Sequence, residues 1–165
     1  MTLLSLDTST TCSGYAVFKD GELHHYGIDT TNKSLTSDQK TEQMIELIYT
    51  LIDITRPDIV VTELTVVSRN VQAQRNLTMI LGAVRGYCIS KKIFYYSFRP
   101  SEWRSLISNE KKPRKRAELK EWSKNQVKDL FNVELNSDDI TDAILIGQAY
   151  CNAFSQEGNL SDMGE

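Results

Sequence analysis

Two runs of alternating apolar and polar residues, 13–19 and 22–28, are joined by Lys19-Asp20-Gly21. An Asp-Gly pair between such runs favours the left-handed backbone of a tight hairpin turn, so the runs predict paired antiparallel strands. An apolar run at 2–7 precedes them and supplies a third strand, ending at Asp7. Downstream the period changes from two to 3.6. Met44, Ile45, Leu47, Ile48, Leu51 and Ile52 predict a helix over 38–55, with Thr36 or Ser37 as its N-cap and Arg56-Pro57 as its stop. A β-branched run at 58–62 predicts a fourth strand ending at Glu63. Residues 70–90 then read as a long helix, 92–98 as a fifth strand, and Pro100 opens a short helix containing Trp103 and Leu106. A charged loop over 108–116 leads to helices at 117–131 and 138–154, the last capped by Ser137. Three antiparallel strands followed by strands separated by helices imply an α/β fold, a mixed five-stranded sheet flanked by helices.

That order places acids at strand ends. Asp7 closes the first strand and Glu63 the fourth, while Asp138, Asp139 and Asp142 lie in the opening turns of the final helix. Asp139 and Asp142, three apart, share a helix face. If the first and fourth strands are neighbours, Asp7 and Glu63 meet at one sheet edge, and the last helix can lay its acids over that edge. Four carboxylates brought together repel unless a cation compensates them. Hard divalent ions such as Mg²⁺, with Mn²⁺ as the substitute, take oxygen ligands. Two of them about 4 Å apart can serve both sides of a phosphodiester. Taken singly, each acid has an ordinary explanation as a turn residue or a partner of the helix dipole; Asp138 is read mainly in that second way and as a possible additional ligand.

The net charge of −3 conceals an asymmetry. Residues 85–128 carry thirteen Lys and Arg against four acids, a net of +9, which leaves −12 for the rest. Local field rather than net charge decides whether a phosphate backbone is attracted. Lys111, Lys112, Arg114, Lys115, Arg116 and Lys120, in or beside the loop before the penultimate helix, form the candidate DNA-binding set, with Arg69, Arg75 and Arg85 as additions near Glu63. The apolar stretches are too short to span a bilayer. The N-terminal segment reads as a strand rather than a signal peptide. Cys12, Cys88 and Cys151 show no metal-like spacing, which predicts small buried thiols in a cytoplasmic compartment. His24 and His25, adjacent on a strand, should face opposite ways, one exposed and one partly buried.

Leu4-Ser5-Leu6-Asp7-Thr8-Ser9-Thr10 followed by Ser13-Gly14-Tyr15-Ala16-Val17 resembles the first motif of the RuvC-like Holliday junction resolvases, of the RNase H-like superfamily. Val60-Val61-Thr62-Glu63 is similar to that family's strand-ending glutamate, and Leu81-Gly82-Ala83-Val84-Arg85-Gly86 to its helix with a Gly-x-x-x-Gly core. Tyr96 to Arg104 resembles its passage from the fifth strand into a proline and short helix. Asp139-Ile140-Thr141-Asp142-Ala143 resembles its Asp-x-x-Asp-Ala motif. The five motifs follow in order over residues 1–153. The polar composition of 155–165 predicts a disordered tail. The resemblance implies an RNase H-like domain over 1–154. It implies Asp7, Glu63, Asp139 and Asp142 as the catalytic, metal-binding set, two bound Mg²⁺ ions, and a homodimer that nicks a four-way junction to leave 5′-phosphate and 3′-hydroxyl ends. The divergence and small size are similar to those of phage-type members; the expected location is cytoplasmic, in a bacterial host if the protein is phage-encoded.

Two features depart from the family pattern. Leu64-Thr65-Val66-Val67 holds no aromatic wedge after the glutamate, and Thr8-Ser9-Thr10-Thr11 replaces a proline and glycine after the first aspartate. The rival readings are a branched-DNA-binding module without cleavage, an actin-like nucleotide binder, since Asp7 to Thr11 resembles a phosphate loop, and a tRNA-modification partner. The second needs a further domain and glycine-rich loop. The third needs neither Glu63 nor the Asp139/Asp142 pair.

Overall fold

The computed structural model describes residues 1–65 and 70–154. Strands β1 (Thr2–Thr8), β2 (Cys12–Lys19), β3 (Glu22–Thr30), β4 (Ile59–Glu63) and β5 (Phe94–Phe98) form one sheet in the order β3-β2-β1-β4-β5. The first three are antiparallel, and β4 and β5 run parallel to β1. The hairpin turn uses left-handed Asp20 and Gly21, with φ of 51° and 83°. This is the expected mixed sheet, with β1 and β4 side by side.

Helices α1 (Ser37–Thr55) and α2 (Val71–Ser90) cover one face; α3 (Pro100–Ile107), α4 (Arg116–Phe131) and α5 (Asp138–Phe154) cover the other. Strand alternation decides which side chains each layer meets. Leu4, Leu6 and Val60 pack with Met44, Ile48, Ile52, Ile80 and Val84 under α1 and α2. Leu3, Ile59 and Val61 pack with Ile144, Leu145, Trp103 and Phe98 on the opposite face. By the same parity Asp7 and Glu63 fall on the α5 side, each at the carboxyl end of its strand.

Thr36 and Gln39 form a capping box at the start of α1. Arg56 ends that helix in the left-handed region, with φ of 47°, rather than in the extended region that a following proline usually imposes. The fifth strand starts at Phe94 rather than 92, because left-handed Lys92 turns the chain and the Ile93 N–H still closes on the Cys88 carbonyl. Ser137 caps α5 through the Ile140 N–H. That helix is buried nearly all round, Leu145 and Ile146 included, because it lies between the sheet and α3 and α4. A single inward stripe understates it. His24 and His25 are both exposed. The register shifts between Val17 and Phe18, leaving His24 without an opposing residue; this bulge breaks the alternation on which the expected split rests. No helix among the described residues is long and apolar enough to cross a membrane. Val66, Val67, Arg69 and the tail 155–165 lie outside the described residues.

Candidate active site

In the parallel ladder of β1 and β4, Leu6 pairs with Thr62, so Asp7 and Glu63 occupy the next level of two adjacent strands. The start of α5 lies over them, and a glycine makes that possible. Gly14 pairs with Asp7 across β1 and β2. A Cβ there would come within 2.0 Å of the Asp139 carbonyl oxygen and 2.7 Å of the Ile140 nitrogen. Backbone atoms cannot rotate away, so only glycine lets α5 approach this closely. Lower on the same helix, buried Ser5 donates to the Ala143 carbonyl at 2.6 Å, and Gly147 leaves room for Phe18. Gly14→Ala is therefore expected to cost about 1–3 kcal/mol through overpacking, lowering the melting temperature by several degrees and moving Asp139 away from Asp7. An unchanged melt would show that α5 yields freely.

Each acid has its own holder. The Cys12 thiol donates to Asp139 Oδ2 at 3.1 Å. Buried Ser123 on α4 hydrogen-bonds Asp142. The indole N–H of fully buried Trp103 donates to Glu63 Oε2 at 2.5 Å. Asp7 feels the charge of the other three. Burial raises its pKa well above the usual carboxylate value, and the charges of Asp142, Glu63 and Asp139 push the same way against the opposing Arg104. Burial also lifts Asp142 to about 6, opposed by the Ser123 hydrogen bond and Arg104. Glu63 is raised by burial, with the Trp103 hydrogen bond and Arg104 opposing. Arg104 is thus the cation that acts on three of the four acids. Its Nε is buried without a hydrogen-bond partner among the described residues.

Asp138 behaves differently. Lys120 donates to its Oδ2 and Lys124 approaches Oδ1 at 3.4 Å. The Lys120 hydrogen bond, ahead of the Lys124 contact, holds its pKa below the usual range. Asp138 is paired with two lysines of α4 while lining the same cleft as Asp7, Asp139 and Asp142, and its charge pushes the Asp142 pKa upward.

The basic residues divide as sharply. A polar cleft beside Asp7 is lined by Arg104, Arg116, Lys120, Ser123, Asp139 and Asp142. Lys112 does not join it: its ammonium donates to the Ser108 and Glu110 carbonyls and lies 5.7 Å from the centre of the Trp122 ring, folding the loop onto α4. Lys115 makes an exposed ion pair with Glu118, and Lys111 and Arg114 are exposed on the same loop. Arg85 lies over the Tyr95 ring.

Whether this set suits a divalent ion turns on donors and charge. Among the described residues no three His, Cys, Asp or Glu side chains are gathered closely enough to hold an ion by themselves. The oxygen-only donors nevertheless fit Mg²⁺, which keeps several waters and uses one or two carboxylates together with phosphate oxygens. Burial is the main cause of the raised pKa values of Asp7, Glu63 and Asp142, and like charges add to it at Asp7 and Asp142 with Arg104 opposing, so a cation at this site would favour their ionised forms.

No protein-family model and no curated protein matches the sequence. Solved structures do match the fold. Thermus thermophilus RuvC in complex with Holliday junction substrate superposes with a TM-score of 0.76 at 15% identity, covering 96% of each chain. This chain has the RuvC fold. The yeast mitochondrial Holliday junction resolvase shares the RuvC-type architecture with a TM-score of 0.61 at 13% identity, over 95% of this chain and 80% of that one. Fowlpox virus resolvase, solved with junction DNA, gives 0.59 at 16%, over 93% and 98%.

Within this RuvC-type frame, sequence reading placed the acids but missed their holders. Trp103 and Arg104 are adjacent on α3, and only the docking of α3 against α5 brings them to Glu63 and Asp7. Cys12, expected to be a buried thiol like Cys88 and Cys151, is half-exposed and bound to an acid 127 residues away. The one available signal was the cation–aromatic pair following Pro100 and Ser101, next to the fifth strand.

Proposed function

We propose that this chain is a metal-dependent endonuclease that binds and cuts branched DNA, resolving four-way junctions. The observation that carries the proposal is the convergence of Glu63, Asp139 and Asp142 on Asp7 at the carboxyl edge of the sheet, beside a cleft walled by Arg104, Arg116 and Lys120. Acids alone would repel DNA and cations alone would only bind it; their contiguity suits holding a phosphodiester while it is hydrolysed. The RuvC and fowlpox resolvase structures, both with Holliday junctions, support junction DNA as the substrate.

Asp7, Glu63, Asp139 and Asp142 would hold two Mg²⁺ ions, or Mn²⁺ in their place. When bound, these supply the charge that activates the attacking water and stabilises the leaving 3′ oxygen. The protein's own groups do the rest. Trp103, Ser123 and the Cys12 thiol fix the carboxylates. Arg104 offsets their repulsion, and Arg116 and Lys120 take flanking phosphates. Water oxygen bonds to phosphorus as the bond to the 3′ oxygen breaks, leaving 5′-phosphate and 3′-hydroxyl ends. Paired cutting calls for a homodimer. The α2 face bearing Met79, Gly82 and Gly86 supports one, since Met79 is exposed and a Cβ at either glycine would meet only open space within the chain.

The test is incubation with labelled four-way, three-way and linear DNA, with and without Mg²⁺. Nicking of the four-way substrate only when Mg²⁺ is present is expected; metal-independent nicking or none ends the proposal. In the same assay, the double change Lys115→Ala and Arg116→Ala should weaken binding in a salt-dependent way. If both contact phosphates, the slope of log affinity against log salt becomes shallower by about 1.8, or about 0.9 per phosphate. An unaltered slope would assign both side chains to solvent.

A further inference from the structure

Three charged side chains meet at the polar cleft. Lys120 and Lys124, one turn apart on α4, both reach Asp138, the first residue of α5. Lys120 pairs with Oδ2, and Lys124 lies 3.4 Å from Oδ1. The two lysines are not equivalent. Lys120 lines the cleft with Asp7, Asp139 and Asp142. Lys124 is outside that lining and is shared with Glu121 at 3.7 Å. Tying α4 to α5 would need only Lys124. Binding phosphate would need only Lys120, and a lysine already paired with an acid attracts phosphate less than a free one. Neither task alone explains why Asp138 occupies the cation that faces the cleft.

We propose that Asp138 stands in for a DNA phosphate: it holds Lys120 at the cleft in the free protein and yields it to a backbone phosphate beside the scissile one when DNA enters. Resting on the nuclease reading above, with Lys120 among the phosphate contacts, this makes Asp138 a positioning residue that acts through Lys120. Carboxylate and phosphate both offer anionic oxygens. A lysine is a compact charge on a flexible stem, so it passes from one to the other by rotating its own side chain.

The exchange suits this place because the pair is neither sealed nor free. The Lys120 side chain is 41% exposed and that of Asp138 31%. An ion pair this open to water is held loosely. Asp138 Oδ1, on the other side of the carboxylate, is closed to solvent and makes no hydrogen bond among the described residues, so it depends on the charge of Lys124. Lys124 stays when Lys120 leaves, and Asp138 is not stranded as a buried unpaired charge, which would be costly. Two consequences follow from the geometry. Any DNA that uses Lys120 must first displace a carboxylate, so partial contacts gain less than a complete set. Once Lys120 leaves, Lys124 faces both Asp138 and Glu121, and a cation returns from solution. That uptake offsets the counterion set free by the neutralised phosphate, so Lys120 adds less than the usual about 0.9 to the salt slope.

The experiment titrates a labelled four-way junction by fluorescence anisotropy over a series of salt concentrations, with Ca²⁺ replacing Mg²⁺ to suppress cutting. Asp138→Asn removes the charge and keeps the shape. It should tighten binding by about threefold or more at low salt and steepen the slope of log affinity against log salt by about 0.5–0.9. Asp138→Ser, a second charge-removing change that suits a helix start, carries the same expectation. Asp138→Glu keeps the charge and should stay within about 1.5-fold of wild type at the wild-type slope. Removing any acid near DNA relieves some repulsion, so Asp138→Asn is repeated in Lys120→Ala. With no lysine there to release, it should change affinity by less than about 1.5-fold. A tie between α4 and α5 and nothing more would lower the melting temperature without tightening binding. Folded charge-removing variants with unaltered affinity and slope would overturn the exchange and leave the nuclease reading intact, as would tightening that persists in Lys120→Ala. Absence of junction binding by the wild-type protein would overturn both.

Discussion

Asp7→Asn is expected to suppress Mg²⁺-dependent nicking by at least about 10³-fold, equivalent to about 4 kcal/mol of barrier, while junction binding survives. Asp7 is the acid on which the other three act, and it lines the polar cleft. Its loss removes charge from the centre of the set, whereas the phosphate contacts proposed for Arg116 and Lys120 remain. Single-turnover nicking beside a mobility-shift assay separates the two; an undiminished rate would remove Asp7 from the mechanism.

The same substitution should stabilise the metal-free protein at neutral pH, because burial and three like charges disfavour the ionised form of this carboxyl in the folded state. Asp142 gives the pH window, since its pKa rises from 3.8 unfolded to about 6 folded. An acid with a raised folded pKa favours the fold fully below its unfolded value, and that contribution is lost as pH climbs through the folded one. For Asp142 the contribution is complete below about pH 4 and gone above about pH 6. Two pH units correspond to at most about 3 kcal/mol. Asp142→Asn should then melt higher than wild type by roughly 5–10 °C at pH 7.5 in EDTA, with the gap closing near pH 4. A constant gap across that range would point to packing instead of charge.

The acids were legible because strand parity and helix period operate over a few residues. Asp7 and Glu63 needed only the alternation of their own strands and the adjacency of β1 and β4; Asp139 and Asp142 needed only their three-residue spacing. What was not legible depends on docking between distant elements. No local pattern reveals that Lys112 folds onto its own loop while Arg116 and Lys120 face the acids, since all three belong to one basic segment. Gly14 was noticed as part of a motif, but its reason, a helix backbone pressed against it, lies 125 residues away. The exposure of both histidines likewise follows from a bulge that the alternation of β3 does not announce. Chemistry was readable where it follows the chain, and hidden where packing assigns it.

Trp103→Phe tests the least expected part of this arrangement. The indole keeps Glu63 in place through a single N–H donor 2.5 Å from Oε2, in a position fully closed to solvent. Phenylalanine preserves most of the apolar volume and deletes the donor, leaving a buried carboxylate oxygen without its partner, at a cost of about 1–3 kcal/mol. Because the Trp103 hydrogen bond opposes the burial that raises the Glu63 pKa, its loss lifts that pKa further. Glu63 then stays protonated to a higher pH, and the acid limb of the rate profile moves upward. Outer-shell partners of metal ligands commonly contribute 10–100-fold in metal affinity or activity, so half-saturation by Mg²⁺ should rise by about tenfold or more. A structural role alone would lower the melting temperature without moving either the acid limb or the Mg²⁺ requirement. Nicking measured across pH and Mg²⁺ concentration, beside a thermal melt, distinguishes the two. A destabilised variant with the wild-type acid limb and Mg²⁺ dependence would reduce Trp103 to a core residue and leave Glu63 positioned by its strand alone.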